Sequence, residues 1–274
     1  MGQMSDPAIS ATARLPTYFI PHGAGPCFFM DWHPHDTWHR TAAFLGGIAA
    51  SLPESPKAIV MISGHWETPE FSVTAAASPP LIYDYGGFPP HTYQLRYDAP
   101  GAPRLAADLV ARLQGAGLAA REEAIRGWDH GVFIPLKVMF PDANIPVLQL
   151  SLKQGLQPEE HIAVGKVLAP LRDEGVLLIG SGMSFHNMRG YGDPRFGPIS
   201  KQFDQWLTDT VSMPEPERSR RLSTWAAAPA ARLSHPREEH LAPLFVVSGA
   251  AEGAGNKAFS DEVLETTISA FRFD

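Results

Sequence analysis

The chain has 274 residues, 44% hydrophobic and 19% charged, enough to bury one large core and too apolar for wholesale disorder. Lys and Arg total 22 against 29 Asp and Glu, a net charge of −7, which argues against a nucleic-acid partner. A single cysteine, Cys27, excludes an internal disulfide and an all-cysteine metal cluster.

Met1 to Arg14 is polar and lacks a basic segment leading into an apolar stretch, so residues 1–14 read as a flexible N-terminal segment and not a signal peptide. No run approaches the roughly 18 apolar residues of a membrane span. The expectation is a cytoplasmic protein with no membrane partner, in which residues 15–274 form one domain.

Short apolar runs at Thr17–Pro21, Ala58–Ser63, Phe71–Ala76, Val147–Leu152 and Val176–Gly180 read as buried strands. Trp38–Leu52, Pro103–Gly115, Pro158–Arg172 and Ser200–Val211 place apolar residues three or four apart and read as helices. Pro103 and Pro158 suit a first helical turn, where a missing N–H costs nothing. Asp129 is an expected N-cap for a short helix through Phe140. The stretch Met213–Ala231 reads as surface helices and turns, and Thr266–Phe273 alternates like a closing strand. The predicted fold is α/β, with a mixed, largely parallel central sheet flanked by helices.

In such folds ligands gather beyond the carboxyl ends of the strands. His22 follows the first apolar run and opens His22-Gly23-Ala24-Gly25-Pro26; His65 follows the second; His186 follows the Val176–Gly180 run after a short turn. If those strands are parallel neighbours, the three imidazoles meet at one edge of the sheet. His130 and His240 stand where helices are expected to begin. Glycine beside His22, His65 and His130 suits a close backbone approach. His33, His35, His39 and His161 read as surface or helix-face residues, while His91 and His235 stay undecided. Ser63, Trp66, Tyr93 and Phe185 flank the expected centre and are candidates to line a pocket. Cys27, beside Phe28 and Phe29, reads as a buried apolar residue.

Taken in order, the segments His22-Gly23-Ala24-Gly25-Pro26, Ser63-Gly64-His65-Trp66-Glu67, Asp129-His130-Gly131, Gly180-Ser181-Gly182 with His186-Asn187, and Glu239-His240-Leu241-Ala242-Pro243-Leu244 resemble the class III extradiol ring-cleavage dioxygenases. The branch they are most similar to is the one around DOPA 4,5-dioxygenase. The resemblance runs from about Leu15 to Ala251. It implies one non-haem metal ion, catalytic as Fe(II) and replaceable by Zn(II), held by His22, His65 and His240. It implies His186 as an acid/base near the oxygen position, and His130 as a substrate-orienting or second acid/base residue. Other branches use two histidines and a carboxylate, so Glu239 or Glu67 stays open as the third ligand in place of His240.

The implied substrates are a small aromatic diol and O₂. A catechol chelates a metal through two adjacent hydroxyls, and coordination lowers their pKa. Ring opening would yield a muconic semialdehyde. Histidine, which ordinarily titrates near pH 6.5, suits the proton transfers involved. The alternative is a zinc-dependent hydrolase using the same histidines, with His186 or Glu67 as base. No Gly-x-Ser-x-Gly elbow is present, and Pro26 and Phe28 spoil a dinucleotide fingerprint after Gly23. A homo-oligomeric assembly is left open.

Overall fold

The computed structural model describes residues 13–274. The apolar runs form strands β1 (Thr17–Pro21), β2 (Ala58–Thr68), β3 (Phe71–Thr74), β5 (Val147–Lys153), β6 (Val176–Gly182) and β8 (Thr266–Phe273). Two strands the sequence reading missed, β4 (Ala120–Glu123) and β7 (Gly255–Val263), complete one eight-stranded sheet in the order β4-β3-β5-β2-β6-β1-β8-β7. Both missed strands lie at the sheet's edges, where charged side chains and an exposed face replace the apolar run of a buried strand.

The central strands β5, β2, β6 and β1 are parallel neighbours. β3 runs antiparallel to β5 and β8 antiparallel to β1, so the sheet is mixed and largely parallel, as predicted. Successive residues of the central strands feed opposite cores. Val60, Ile62 and Leu178 pack on one face; Ile59, Met61 and Ile179 pack on the other. Burial on both sides is why these runs are continuously apolar instead of alternating.

Helices α1 (His39–Ser51) and α3 (His130–Met139) border one face. The other is bordered by α2 (Pro103–Gly115), α4 (Pro158–Leu168), α5 (Phe196–Val211), α6 (Glu217–Ser223), α7 (Ala231–Ser234) and α8 (Ala242–Gly249). In α2 the buried residues Ala106, Leu109, Val110 and Leu113 recur at helical spacing behind Pro103. The predicted helix Pro158–Arg172 stops being α-helical at Leu168, and Ala169–Arg172 tightens into a 3₁₀ turn. Pro170 accounts for this, since it has no N–H and its ring crowds the preceding turn. Among the described residues no helix is long and apolar enough to cross a membrane.

Most of the expected flexible segment 1–14 falls outside the described residues. Where the described chain enters the core, Leu15 exchanges bonds with Arg172: its N–H donates to the Arg172 carbonyl at 3.1 Å, and Arg172 Nε donates to its carbonyl at 2.7 Å.

Candidate metal and active site

Because β2, β6 and β1 are adjacent and parallel, their carboxyl ends open on one crevice. His22 leaves β1 there, and its N–H is tied to the Gly182 carbonyl of β6 at 3.1 Å. The regular pairing of β2 with β6 ends at Ser63, and its register with β5 shifts between Ile62 and Glu67. His65 stands in that irregular stretch, inside the strand and not past its end. His186, four residues beyond β6, is anchored through its N–H to the Ser234 carbonyl at 3.0 Å.

His130 is the first residue of α3. Asp129 precedes it as expected, but its carboxylate makes no cap bond. Instead it accepts from Ser63 Oγ at 2.7 Å, from Arg126 at 3.2 Å and from Gln149, all around a fully buried position. The capping acceptor comes from elsewhere: Asp84 Oδ1 takes the His130 backbone N–H at 2.9 Å and its Nδ1–H at 2.8 Å. Pro135 inside α3 supplies no N–H to the Gly131 carbonyl one turn back. That free carbonyl accepts the Ser181 hydroxyl of β6, which docks the start of α3 against the sheet.

The five glycine-flanked or element-end histidines come together. Ring centroids of His22 lie 4.9 Å from His65, 5.3 Å from His130 and 5.1 Å from His240. His65 and His130 are 4.0 Å apart, and His186 stacks on His240 at 3.4 Å. His65 Nε2 lies 3.3 Å from the Nε2 atoms of both His22 and His240. The far nitrogens of those two rings are engaged: His22 Nδ1 with the Gly23 carbonyl at 2.9 Å, His240 Nδ1 with Glu239 Oε1 at 3.2 Å.

Those acceptors fix the tautomers. A carbonyl and an ionised carboxylate only accept, so Nδ1 carries the proton and Nε2 presents a lone pair in the neutral ring. His65 Nε2 has at most one hydrogen, which leaves at least one inward lone pair without a proton partner. Burial, reinforced by the neighbouring imidazoles, holds His22 well below the ordinary histidine range. Burial does the same for His240 against the opposing pull of Glu239. For His65, burial and His130 outweigh Asp129 and Asp84 and bring it to about 4. All three rings are neutral donors at neutral pH.

Two nitrogens bound at about 2.1 Å to one ion at a tetrahedral angle are separated by about 3.4 Å, so the spacing fits a shared divalent ion. Ligand atoms of His22, His65 and His130 lie within 4.8 Å of one another, as do those of His186, Glu239 and His240. The carboxylates left open by the sequence face other partners. Glu67 is held by Arg237 at 2.6 and 2.5 Å. Glu239 Oε1 faces His240 Nδ1, and lies 3.5 Å from His186 Nδ1. Burial alone would raise the Glu239 carboxyl, but hydrogen bonds from His186 and His240 prevail and hold it well below the usual range.

A cavity of about 420 Å³ opens over the cluster and is lined by all five histidines, together with Gly23–Gly25, Trp32, Trp38, Tyr85, Phe88, Met188, Tyr191 and Leu264. The four flanking residues expected to line it do not. Ser63 is buried on Asp129, Trp66 lies under the Arg126 guanidinium, Tyr93 packs against Tyr83 and Tyr85, and Phe185 against Tyr191 and Phe196. Of the undecided pair, His91 bonds the Phe29 carbonyl and His235 is buried on the Ser184 carbonyl; neither lines the cavity. His161 is buried and satisfied by Gln157 and Lys153. Burial raises the Cys27 thiol, so it packs as an apolar residue. Asp84 is a site residue that sequence reasoning missed, as are the lining residues Tyr85 and Phe88; the only signal for Asp84 is a carboxylate between Tyr83 and Tyr85 in an aperiodic loop.

The family model described as the catalytic LigB subunit of aromatic ring-opening dioxygenase matches residues 16–271. The chain is 39% identical over 249 residues to the protein named 4,5-DOPA dioxygenase extradiol from Beta vulgaris, covering 88% of each. It is 36% identical over 248 residues to the protein of that name from Escherichia coli (strain K12), covering 89% of this chain and 88% of the other. A crystal structure of an Escherichia coli K12 protein superposes with a TM-score of 0.76 at 30% identity, covering 95% of this chain and 100% of that one.

Proposed function

The chain belongs to the LigB family of extradiol aromatic ring-opening dioxygenases, and on that premise we propose that it opens a catechol-type ring with O₂ to give a muconic semialdehyde, using Fe(II). We assign His22, His65 and His240 as the metal ligands, His186 as the acid/base beside the oxygen position, and His130 as the residue that orients the substrate or moves its proton.

The observation that carries the reading is the meeting of three neutral Nε2 atoms, 3.3 Å apart in two pairs, beside a cavity that two further histidines also line. Bound there, Fe(II) would supply a Lewis acid for the two hydroxyls and electron density for oxygen; Zn(II) would supply only the first. The chain's own residues do the rest. Asp84, bonded to His130 Nδ1, fixes its tautomer and turns Nε2 into the proton-accepting atom. Glu239 sits beside the Nδ1 atoms of both His186 and His240, so one carboxylate orients a proposed ligand and a proposed acid/base together. Aromatic side chains, among them Tyr85 and Phe88, line the cavity around the proposed reacting centre. The relatives' names specify DOPA, a catechol; only the catechol ring is carried over to this chain.

The test is anaerobic loading with Fe(II), then oxygen uptake with catechol and growth of the yellow semialdehyde absorption. One O₂ consumed per ring opened supports the reading. Hydrolysis of esters or amides by the Zn(II) form, with no oxygen consumed by the Fe(II) form, would replace it with the zinc-hydrolase alternative.

A further inference from the structure

Among the described residues, the cavity wall holds no Lys, Arg, Asp or Glu. Of its side-chain polar groups other than the imidazoles, all but Trp38 Nε1 are already committed. Trp32 Nε1 donates to the Cys27 carbonyl at 3.0 Å, the Tyr85 hydroxyl to Thr92 at 2.7 Å, and the Tyr191 hydroxyl to Phe185 at 2.8 Å. Trp38 Nε1 has no partner among the described residues, but it is a neutral donor shielded from solvent. A carboxylate brought into this space would lose its water and find no Lys or Arg to pair with, and the proposed metal would be engaged by the two catechol hydroxyls.

The cavity is also larger than the ring it would hold. An apolar cavity of about 150 Å³ already accommodates benzene, so the roughly 420 Å³ leaves room for a substituent beside the ring, its hydroxyls, the metal and O₂.

Leu264 points the same way from the backbone. It and Glu265 form the two-residue turn between β7 and β8, with φ of +49° and +66°. Such hairpins favour Asn and Gly, because other side chains are strained at positive φ. A leucine is held there all the same, fixed by the Gly192 N–H on its carbonyl at 2.8 Å. Its side chain packs with the cluster that contains Trp38 and Trp32 and lines the cavity. The strained turn thus holds a bulky apolar side chain on the cavity wall.

We propose that Trp32, Trp38, Met188, Tyr191 and Leu264 form an apolar subsite, and that the enzyme prefers catechols carrying an uncharged hydrophobic substituent over catechols carrying a carboxylate, with Leu264 a specificity-determining residue. The proposal rests on the dioxygenase reading above and deepens it.

The test compares 3-(3,4-dihydroxyphenyl)propanoate with its methyl ester, which differ in charge at nearly equal length, and with unsubstituted catechol. Binding to the Zn(II)-loaded full chain is measured by titration calorimetry, and kcat/KM on the Fe(II) form by oxygen uptake. The ester should bind and turn over at least about 10-fold better than the acid. Leu264→Asn, which relieves the turn, should cut that ratio at least about threefold, and Leu264→Arg should bring it to about one or reverse it. Equal binding of acid and ester by the unaltered chain would overturn the subsite. Preference for the ester in binding, with no oxygen uptake from any catechol, would overturn the dioxygenase reading and leave the subsite standing.

Discussion

Asp84 holds His130 by two atoms with one oxygen: Oδ1 lies 2.8 Å from His130 Nδ1 and 2.9 Å from its backbone nitrogen. The same carboxylate keeps Oδ2 3.7 Å from His65 Nδ1, so it touches a proposed ligand and a proposed proton carrier. Burial alone would raise its carboxyl, but the hydrogen bond and charge of His130 prevail and lower it to about 2. Asparagine at this position still offers an acceptor oxygen, so α3 stays capped, but the charge is lost. We expect Asp84→Asn to lower kcat by about 10- to 100-fold with metal content unchanged. Elemental analysis beside oxygen uptake checks this; wild-type kcat would remove Asp84 from the mechanism.

Glu239 and His240 separate by the same logic. With His240 as ligand and Glu239 as its orienting acceptor, His240→Ala should lose bound metal, as should His65→Ala. Glu239→Gln should keep the site and bind metal about 10- to 100-fold more weakly. His186→Ala should keep full metal and lose turnover by about 10²- to 10⁴-fold. Metal retained in His240→Ala and lost in Glu239→Gln would make the carboxylate the third ligand. Full activity in His186→Ala would end its acid–base role.

The convergence of His22, His65 and His186 was readable in the sequence because the three runs before them are continuously apolar, as strands buried on both faces of a largely parallel sheet are. Their order in the sheet was not readable, since nothing local states that β6 lies between β1 and β2. Edge strands β4 and β7 escaped because their charged, exposed residues carry no apolar period. Asp84, Tyr85 and Phe88 escaped for another reason. They lie in the stretch between β3 and α2, where 3₁₀ turns and extended segments replace any repeat, and only the tertiary fold brings them to the histidines. The residues guessed for the pocket, Trp66, Tyr93 and Phe185, are near the site in sequence, but their side chains serve packing.

The glycine beside His65 has a measurable purpose. A Cβ on Gly64 would lie 2.9 Å from the Glu239 carbonyl oxygen and 3.3 Å from His240 Cα, and both neighbours are backbone. The segment bearing the third proposed ligand must therefore shift away from His65. We expect Gly64→Ala to fold with a loss of about 1–3 kcal/mol, and to bind metal at least about 10-fold more weakly through the displaced His240. Denaturant unfolding and a competitive chelator titration measure the two effects. Wild-type metal affinity in a folded Gly64→Ala would show that the approach of these backbones does not set the site.

Acid should destabilise the metal-free protein well before its carboxylates titrate. His22 and His240 are held well below 6.5 by burial, and burial brings His65 and His235 to about 4. An unfolded histidine takes up its proton near pH 6.5, whereas folded His65 and His235 do so only near pH 4 and His22 and His240 are likewise held well below the ordinary range, so below about pH 6.5 the unfolded chain binds more protons. Stability is then complete above about pH 6.5 and falls as pH drops toward about 4, by up to about 1.4 kcal/mol per pH unit for each such ring. Asp84 adds its loss only below about pH 4, because its depressed carboxyl gives stability that persists down toward about 2. Urea unfolding of the metal-free chain from about pH 7 to about pH 4.5 should therefore show a loss of several kcal/mol. His235→Gln, outside the cavity lining and with its ring bonded to the Ser184 carbonyl, should remove one ring's share of that slope and leave most of the rest. A stability that stays flat across this range would mean that the imidazoles are not buried as neutral rings, and the lone-pair argument for the metal site would fail with it.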